Sequence, residues 1–424
     1  MLCRRMPLHA AEDPTQPERV LILAPHPDDE VLACGGVIQQ HLIRGDKVNV
    51  VLLTSGDAQR LGVLAQRNFL KLGEARFAES VKALAYLGLK EANLCLLGYP
   101  DRGLAFLWQQ YWRNESLFRS WYSQVDRVAY SHALFPGAPY NGQALLNDLQ
   151  KIFLKLQPTK LYLPHPNDLN DDHWAANAFA LFALENLKVR EKNFQLAHQD
   201  RFAYLVHRHY WPLPRGKHLD RALQLPPYIT TLDTVWQSVQ LSPEETQKKY
   251  VAIKLYKTQL KITDAHLVAF ARPNELFGHV PLLSYTNRSS GEILAFADLR
   301  TQSLLSHLRG YDGIKQIQIR KNKESLFANI EFYKPLRPTY EIRLDIKFID
   351  DPETALEVLV KKNQIYLNQQ VADARYTCQR QKLSLQLQLQ LELFDRKNKI
   401  ILGISIDQWG KTIGKSAHRL IELA

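Results

Sequence analysis

Pro25-His26-Pro27-Asp28-Asp29-Glu30 places an imidazole and two carboxylates within four residues, His26 to Asp29. Such a set can bind a divalent cation and leave one carboxylate free to move a proton. Alone, an acidic turn of this kind is more often structural. A second cluster changes the balance: Pro164-His165-Pro166-Asn167-Asp168-Leu169-Asn170-Asp171-Asp172-His173. Loops that only cap helices need no histidine, so two His/Asp clusters at matching positions are read together as one metal site. Asp172, next to His173, can accept a hydrogen bond from an imidazole or cap the helix that follows.

The two clusters meet only if each follows a strand of the same sheet. Residues 19–25 (RVLILAP) are a short apolar run ending at proline, as a buried strand requires. Helical spacing follows over 30–44 and closes at Gly45. Strands are expected at 47–54, 92–97, 160–164 and 202–207, with helices at 68–87, 143–156, 173–187 and 243–262. This alternation predicts an α/β fold, a Rossmann-like, mostly parallel sheet with helices on both faces. Ligands bind such sheets at the carboxyl ends of strands, where both clusters fall. Gly35-Gly36 is expected to allow close helix–sheet packing, and no GxxxxGK phosphate loop is present.

An aromatic-rich insertion at 104–140 interrupts the rhythm. It either caps the site or packs as a helical hairpin. Short period-2 runs at 326–333, 341–348, 364–367, 383–394 and 399–405 predict an antiparallel β-sandwich over 310–424. The expected layout is a loose leader at 1–18, a catalytic domain at 19–290, a linker at 290–310 and the sandwich. Trp409, Tyr333, Tyr340 and Tyr366 are the sandwich's candidate carbohydrate platforms, against a scaffold or homo-oligomer role.

With 424 residues the chain exceeds one ordinary core. No apolar run approaches the ~20 residues of a membrane-spanning helix, and no apolar core follows Arg4-Arg5, so a cytoplasmic protein is expected. The four cysteines, Cys3, Cys34, Cys95 and Cys378, form no CxxC pair, against both a disulfide framework and a cysteine zinc site. The net charge of +11 is dispersed, so a nucleic-acid partner is not expected.

PHPDDEVLACGG with the later HPNDLNDDHWAAN resembles the PIG-L/LmbE family of zinc-dependent N-acetylglucosaminyl deacetylases. The likeness covers residues 19–270 and includes KKYVAIKLYKTQL. The resemblance implies His26, Asp29 and His173 as ligands of one Zn²⁺, a site ferrous iron can also occupy, and Asp28 as general base. It implies hydrolysis of the acetyl amide of an N-acetylated sugar or glycoconjugate, phosphorylated or lipid-linked forms included, to acetate and a free amine. Arg76 matches a family arginine near the substrate pocket; an intrahelical pair with Glu79 is the competing expectation. Asp101 and Arg102 line the pocket or form a turn. Asn170 departs from the family, which carries histidine there; an amide donates a hydrogen bond but cannot carry a proton. Either Asn170 fills the catalytic role in a weaker form, or a histidine from elsewhere substitutes, with His207 and His209 as candidates against a structural loop and His207 expected at the substrate. Two other readings remain: a catalytically weak sugar-binding protein, and a metal-dependent glycosyltransferase using Asp28-Asp29. His26 and His173 weigh against the latter, whose Mg²⁺ or Mn²⁺ prefers oxygen ligands.

Overall fold

A computed structural model describes residues 16–59, 68–113, 115–226, 229–285, 293–297, 313–322, 324–390, 399–409 and 411–423. The expected leader lies almost wholly outside them, as does most of the expected linker. Two compact units emerge: residues up to 226 with 235–279, and residues 227–234 with 280 onward.

In the first unit, β1 (Arg19–Ala24), β2 (Lys47–Thr54), β3 (Leu94–Tyr99), β4 (Lys160–Pro164) and β5 (Arg201–Tyr204) join β6 (Val235–Gln240) and β7 (Asn274–His279) in one sheet. Its order is β3-β2-β1-β4-β5-β7-β6. β3 to β5 run parallel, and β5, β7 and β6 pair antiparallel. Leu21, Ile22 and Leu23 are fully buried, as a strand covered on both faces requires. The order reverses between β1 and β4, which pair directly with Ile22 opposite Tyr162. Their carboxyl ends therefore border the crevice where open α/β sheets bind ligands.

The helices are α1 (Asp29–Ile43), α2 (Phe69–Leu87), α3 (Leu104–Gln109), α4 (Gly142–Leu156), α5 (Asp171–Arg190), α6 (Pro243–Ile253) and α7 (Lys257–Leu267). α1 is buried along nearly its whole length. A Cβ on Gly36 would lie 2.3 Å from Leu241, and one on Gly35 3.1 Å from Lys249 of α6. Gly35 thus admits α6, and Gly36 the residue that follows β6, while the Gly36 amide donates to Glu275 of β7 at 2.6 Å. The single helix expected at 243–262 is two, broken after Ile253; Ser242 and Glu245 form a capping box at its start. In the 104–140 insertion α3 is followed by turns and an isolated Arg127–Pro139 bridge. No helical hairpin forms among the described residues. Trp108 instead packs edge-on to Phe179 of α5, with ring centroids 5.0 Å apart.

The second unit carries sheets, antiparallel apart from the parallel pair of β8 (Leu283–Ser284) and β20 (Arg419–Glu422), that form a sandwich. One holds β9 (Ile293–Ala297), β10 (Ile314–Lys321), β11 (Ser325–Phe332), β16 (Thr377–Arg380) and β17 (Ser384–Gln390). The other holds β8 (Leu283–Ser284), β12 (Tyr340–Phe348), β13 (Ala355–Lys361), β14 (Gln364–Leu367), β15 (Gln370–Val371), β18 (Lys399–Gln408), β19 (Lys411–Lys415) and β20 (Arg419–Glu422). Alternate residues of both, such as Ile317, Leu387, Ile342 and Ile404, meet in one core. Apart from residues 227–234 the unit runs from Val280 onward, and β9 lies inside the stretch expected as a linker. No described helix is long and apolar enough to cross a membrane.

Candidate metal centre

The loop after β1 and the loop after β4 do converge. His26 Nδ1 lies 3.1 Å from Asp29 Oδ2, and His173 Nε2 lies 3.0 Å from the same oxygen. His26, Asp29, His173 and His207 each offer a ligand atom within 4.8 Å of the others. The first three residues are buried; His207 is 38% exposed at its side chain, and its Nε2 is 4.0 Å from Asp29 Oδ1. Its ring meets that of His173 edge-on at 4.6 Å.

Each buried imidazole has a carboxylate on its far side. His26 Nε2 faces Asp172 Oδ2 at 3.1 Å and Asp101 Oδ1 at 3.3 Å. His173 Nδ1 faces Asp168 Oδ2 at 3.3 Å. Such partners fix the tautomer of a metal-binding histidine and raise its basicity. Asp168 is in turn held by the Val206 and His207 amides, at 3.0 and 2.9 Å. Asp172 accepts from the Arg102 and Leu104 amides, and Asp101 from the Ala58 amide.

The residues fit a cation. His173 Nε2 makes no well-aligned hydrogen bond despite full burial, although Asp29 Oδ2 stands 3.0 Å away. Ligands turned toward a common ion, not toward each other, have this geometry. Burial alone would raise Asp29 and lower His173. The His173 and His26 charges nevertheless hold Asp29 well below the usual carboxylate range, and Asp29 and Asp168 push His173 up to about 9. The same negative field that would keep a proton on His173 attracts a metal ion in its place.

Asp28 stands beside this cluster without joining it. Burial pushes its carboxyl up to about 8, against the pull of the Arg76 guanidinium. Arg76 donates to Pro27 O at 2.6 Å, Asp28 Oδ2 at 3.2 Å and Gly56 O at 2.8 Å. The intrahelical pair with Glu79 does not form. Glu79 instead accepts from the Thr258 amide and hydroxyl. Asp28 also has φ 118° and ψ −32°, a conformation that costs a non-glycine residue on the order of 1–3 kcal/mol.

Other expected site residues are placed differently. Asn170 is the N-cap of α5, its Oδ1 accepting from the Asp172 amide at 2.9 Å. That oxygen is committed to the helix terminus. Arg102 is exposed, at φ 60°, with its side chain bonded to the Tyr122 hydroxyl at 3.2 Å. Of the sandwich aromatics, Trp409 is 76% and Tyr333 38% exposed, Tyr366 is half-buried, and Tyr340 is buried in the core, which rules it out as a platform. Residue type did not single out Asp168 as the partner of His173; its spacing of five residues ahead of a candidate ligand was the available signal.

Residues 21–184 match the model of the family described as GlcNAc-PI de-N-acetylase, PIG-L. A 1D-myo-inositol 2-acetamido-2-deoxy-alpha-D-glucopyranoside deacetylase of Mycobacterium sp. (strain KMS) is 38% identical over 96 residues, 20% of this chain and 30% of that protein. The chain thus aligns with less than a third of that relative's length. The protein of the same name from Corynebacterium glutamicum (strain R) is 22% identical over 305 residues, 68% of this chain and 89% of that one. Among solved structures, a conserved protein from Thermus thermophilus aligns at TM-score 0.38 and 21% identity, over 60% of this chain and 84% of that one. The N,N'-diacetylchitobiose deacetylase from Pyrococcus horikoshii aligns at TM-score 0.35 and 19% identity, over 58% and 74%.

Proposed function

Residues 21–184 form a PIG-L family domain, and on that premise we propose that the protein is a zinc-dependent hydrolase of the acetyl amide of an N-acetylated amino sugar or glycoconjugate. The observation that carries this reading is the meeting of His26, Asp29 and His173 at one point, with Asp28 alongside. These three residues would hold the cation, which would supply Lewis acidity and lower the pKa of a bound water to about 7. Asp28, fixed by Arg76, takes the proton of the attacking water and passes it to the amide nitrogen as the C–N bond breaks. Acetate and a free amine leave.

His207 takes the part of oxyanion donor. It is the partly exposed histidine at the rim of the cluster; Asn170 holds its Oδ1 on the helix cap and keeps only its Nδ2 as a second donor. Asp101 supports His26 from behind, and Arg102, exposed and bonded to Tyr122, is the candidate substrate contact. The exposed Trp409 is the sandwich's candidate carbohydrate contact, set against a scaffold or homo-oligomer role, and the chain is proposed as cytoplasmic.

The test is acetate release from a panel of N-acetyl sugars, free, nucleotide-linked and lipid-linked, with and without chelator. Chelator-sensitive release is expected. Bound metal without turnover on any member would favour a sugar-binding protein instead. His207→Ala should retain one metal per chain and lose about 10²-fold in kcat; loss of the metal would make His207 a fourth ligand.

A further inference from the structure

The N-terminus of α1 is built backwards. An N-cap aspartate ordinarily adopts extended backbone and turns its carboxylate onto the amides of the first turn. Asp28 does neither: its φ is 118° and its side chain makes no capping bond. Its own amide is gripped instead by Glu30, two residues further along, with Asp28 N donating to Glu30 Oε2 at 2.9 Å. The helix thereby gains its side-chain contact from Glu30, and the Asp28 carboxylate is released to face Arg76.

Glu30 is itself held. It is fully buried, and its Oε1 accepts from the Ser80 hydroxyl of α2 at 2.7 Å and the Tyr256 hydroxyl at 2.6 Å. Tyr256 is buried at the start of α7, and the Thr258 amide and hydroxyl bond to Glu79 of α2. Two helices distant in sequence therefore fix one carboxylate, and that carboxylate fixes one backbone amide.

We infer that Glu30, backed by Ser80 and Tyr256, is a positioning residue that holds the backbone of Asp28 in its positive-φ turn and so aims the Asp28 carboxylate at the cation site. The inference rests on the hydrolase reading for its kinetic consequence, though not for the hydrogen-bond chain. Three donors converge on Glu30: one backbone amide and two hydroxyls. A glutamine can keep this arrangement, its oxygen accepting from Asp28 N and its amide donating to the two hydroxyls, which can also accept. An alanine cannot.

The experiment uses the full-length, metal-loaded chain with Glu30→Gln, Glu30→Ala and Tyr256→Phe, read by metal content, kcat and KM, and hydrogen exchange at the Asp28 amide. Glu30→Ala should keep one metal per chain, lose about 10²-fold in kcat at unchanged KM, and lose protection at Asp28. Glu30→Gln should recover most of both, and Tyr256→Phe should fall between. Should Glu30→Ala fail to fold, Tyr256→Phe decides: unchanged kcat and unchanged protection overturn the inference. It is also overturned if Glu30→Gln is as impaired as Glu30→Ala, which would make the charge the active feature. An inactive wild type would sink the hydrolase reading, while the exchange arm would still decide the clamp.

Discussion

Asp29 Oδ2 sits within 3.1 Å of a nitrogen from each of two histidines, which are 147 residues apart in the chain (173 − 26). That oxygen and the His26–Asp172 contact join the two clusters, and Asp28 lies outside both, so the ligands and the base should respond differently to substitution. Asp29→Ala and His173→Ala each remove a ligand from a fully buried cluster and should abolish tight metal binding. Asp28→Asn keeps shape and a hydrogen-bond partner for Arg76 but cannot accept a proton at the same atom. It should bind a full equivalent of metal and lose roughly 10²–10⁴-fold in kcat/KM. Elemental analysis beside acetate-release kinetics checks this, and an Asp28→Asn enzyme at wild-type rate would remove Asp28 from the chemistry. The meeting of His26, Asp29 and His173 was legible in the sequence because a short loop after a strand leaves its polar residues few places to go. The partners Asp101 and Asp168 were not legible, since which carboxylate lands behind which imidazole depends on loop geometry. Asn170 was ambiguous for a chemical reason: asparagine ahead of a helix suits both a pocket and a cap, and here Oδ1 is spent on the cap.

At the scale of elements, α1 is fixed at both ends by buried polar groups. Its start is held by Glu30, and at its last turn His41 contacts the Arg44 guanidinium and Asp46 through Nδ1, both at 2.7 Å, and the Tyr162 hydroxyl through Nε2 at 3.1 Å. Burial depresses His41 to about 4, with Arg44 adding to the effect and Asp46 opposing it. The ordinary value is about 6.5. Above pH 6.5 the ring is neutral folded or unfolded, and the stabilisation is whole. As pH falls from about 6.5 toward about 4, the unfolded chain takes a proton that the folded chain refuses, and stability declines. The loss is on the order of 3 kcal/mol from this group. Urea unfolding at pH 7 and pH 4.5 should show a smaller pH-dependent loss for His41→Gln than for wild type; equal losses would mean that His41 titrates normally. The elements that were hard to read are explained in the same way. β6 is mostly exposed or half-buried, so VWQSVQ carries little apolar signal. β7 contains Glu275, buried because Lys249, Gly36 and Val37 donate to it at 2.6–2.9 Å. No periodicity in NELFGH announces those partners.

At the scale of the molecule, the two units carry different kinds of information. The sandwich was readable from alternation alone: in β17, Leu385, Leu387 and Leu389 are buried while Gln386 lies exposed between them. Its start was misplaced because β8 is two residues long, too short for a period to register. The first unit needed the motif as well as the pattern, and its stability should carry the mark of the metal. A cation that binds only the folded unit at about 100 times its Kd adds about 2.7 kcal/mol. The clustered carboxylates Asp28, Asp29, Asp101, Asp168 and Asp172, all buried, lose a counter-charge when it is removed. The sandwich has its own core, running from Leu283 to Leu423 and sharing no residue with the metal cluster. Chelation should therefore lower the melting temperature of the first unit by roughly 5–10 °C, while Ile404→Ala should destabilise the sandwich by about 2–5 kcal/mol without changing metal content. Calorimetry with and without chelator, on wild type and Ile404→Ala, reads both effects. A melting profile indifferent to chelator would mean that the cluster at Asp29 holds no structural share of the ion, and a loss of metal in Ile404→Ala would mean that the site depends on the sandwich core.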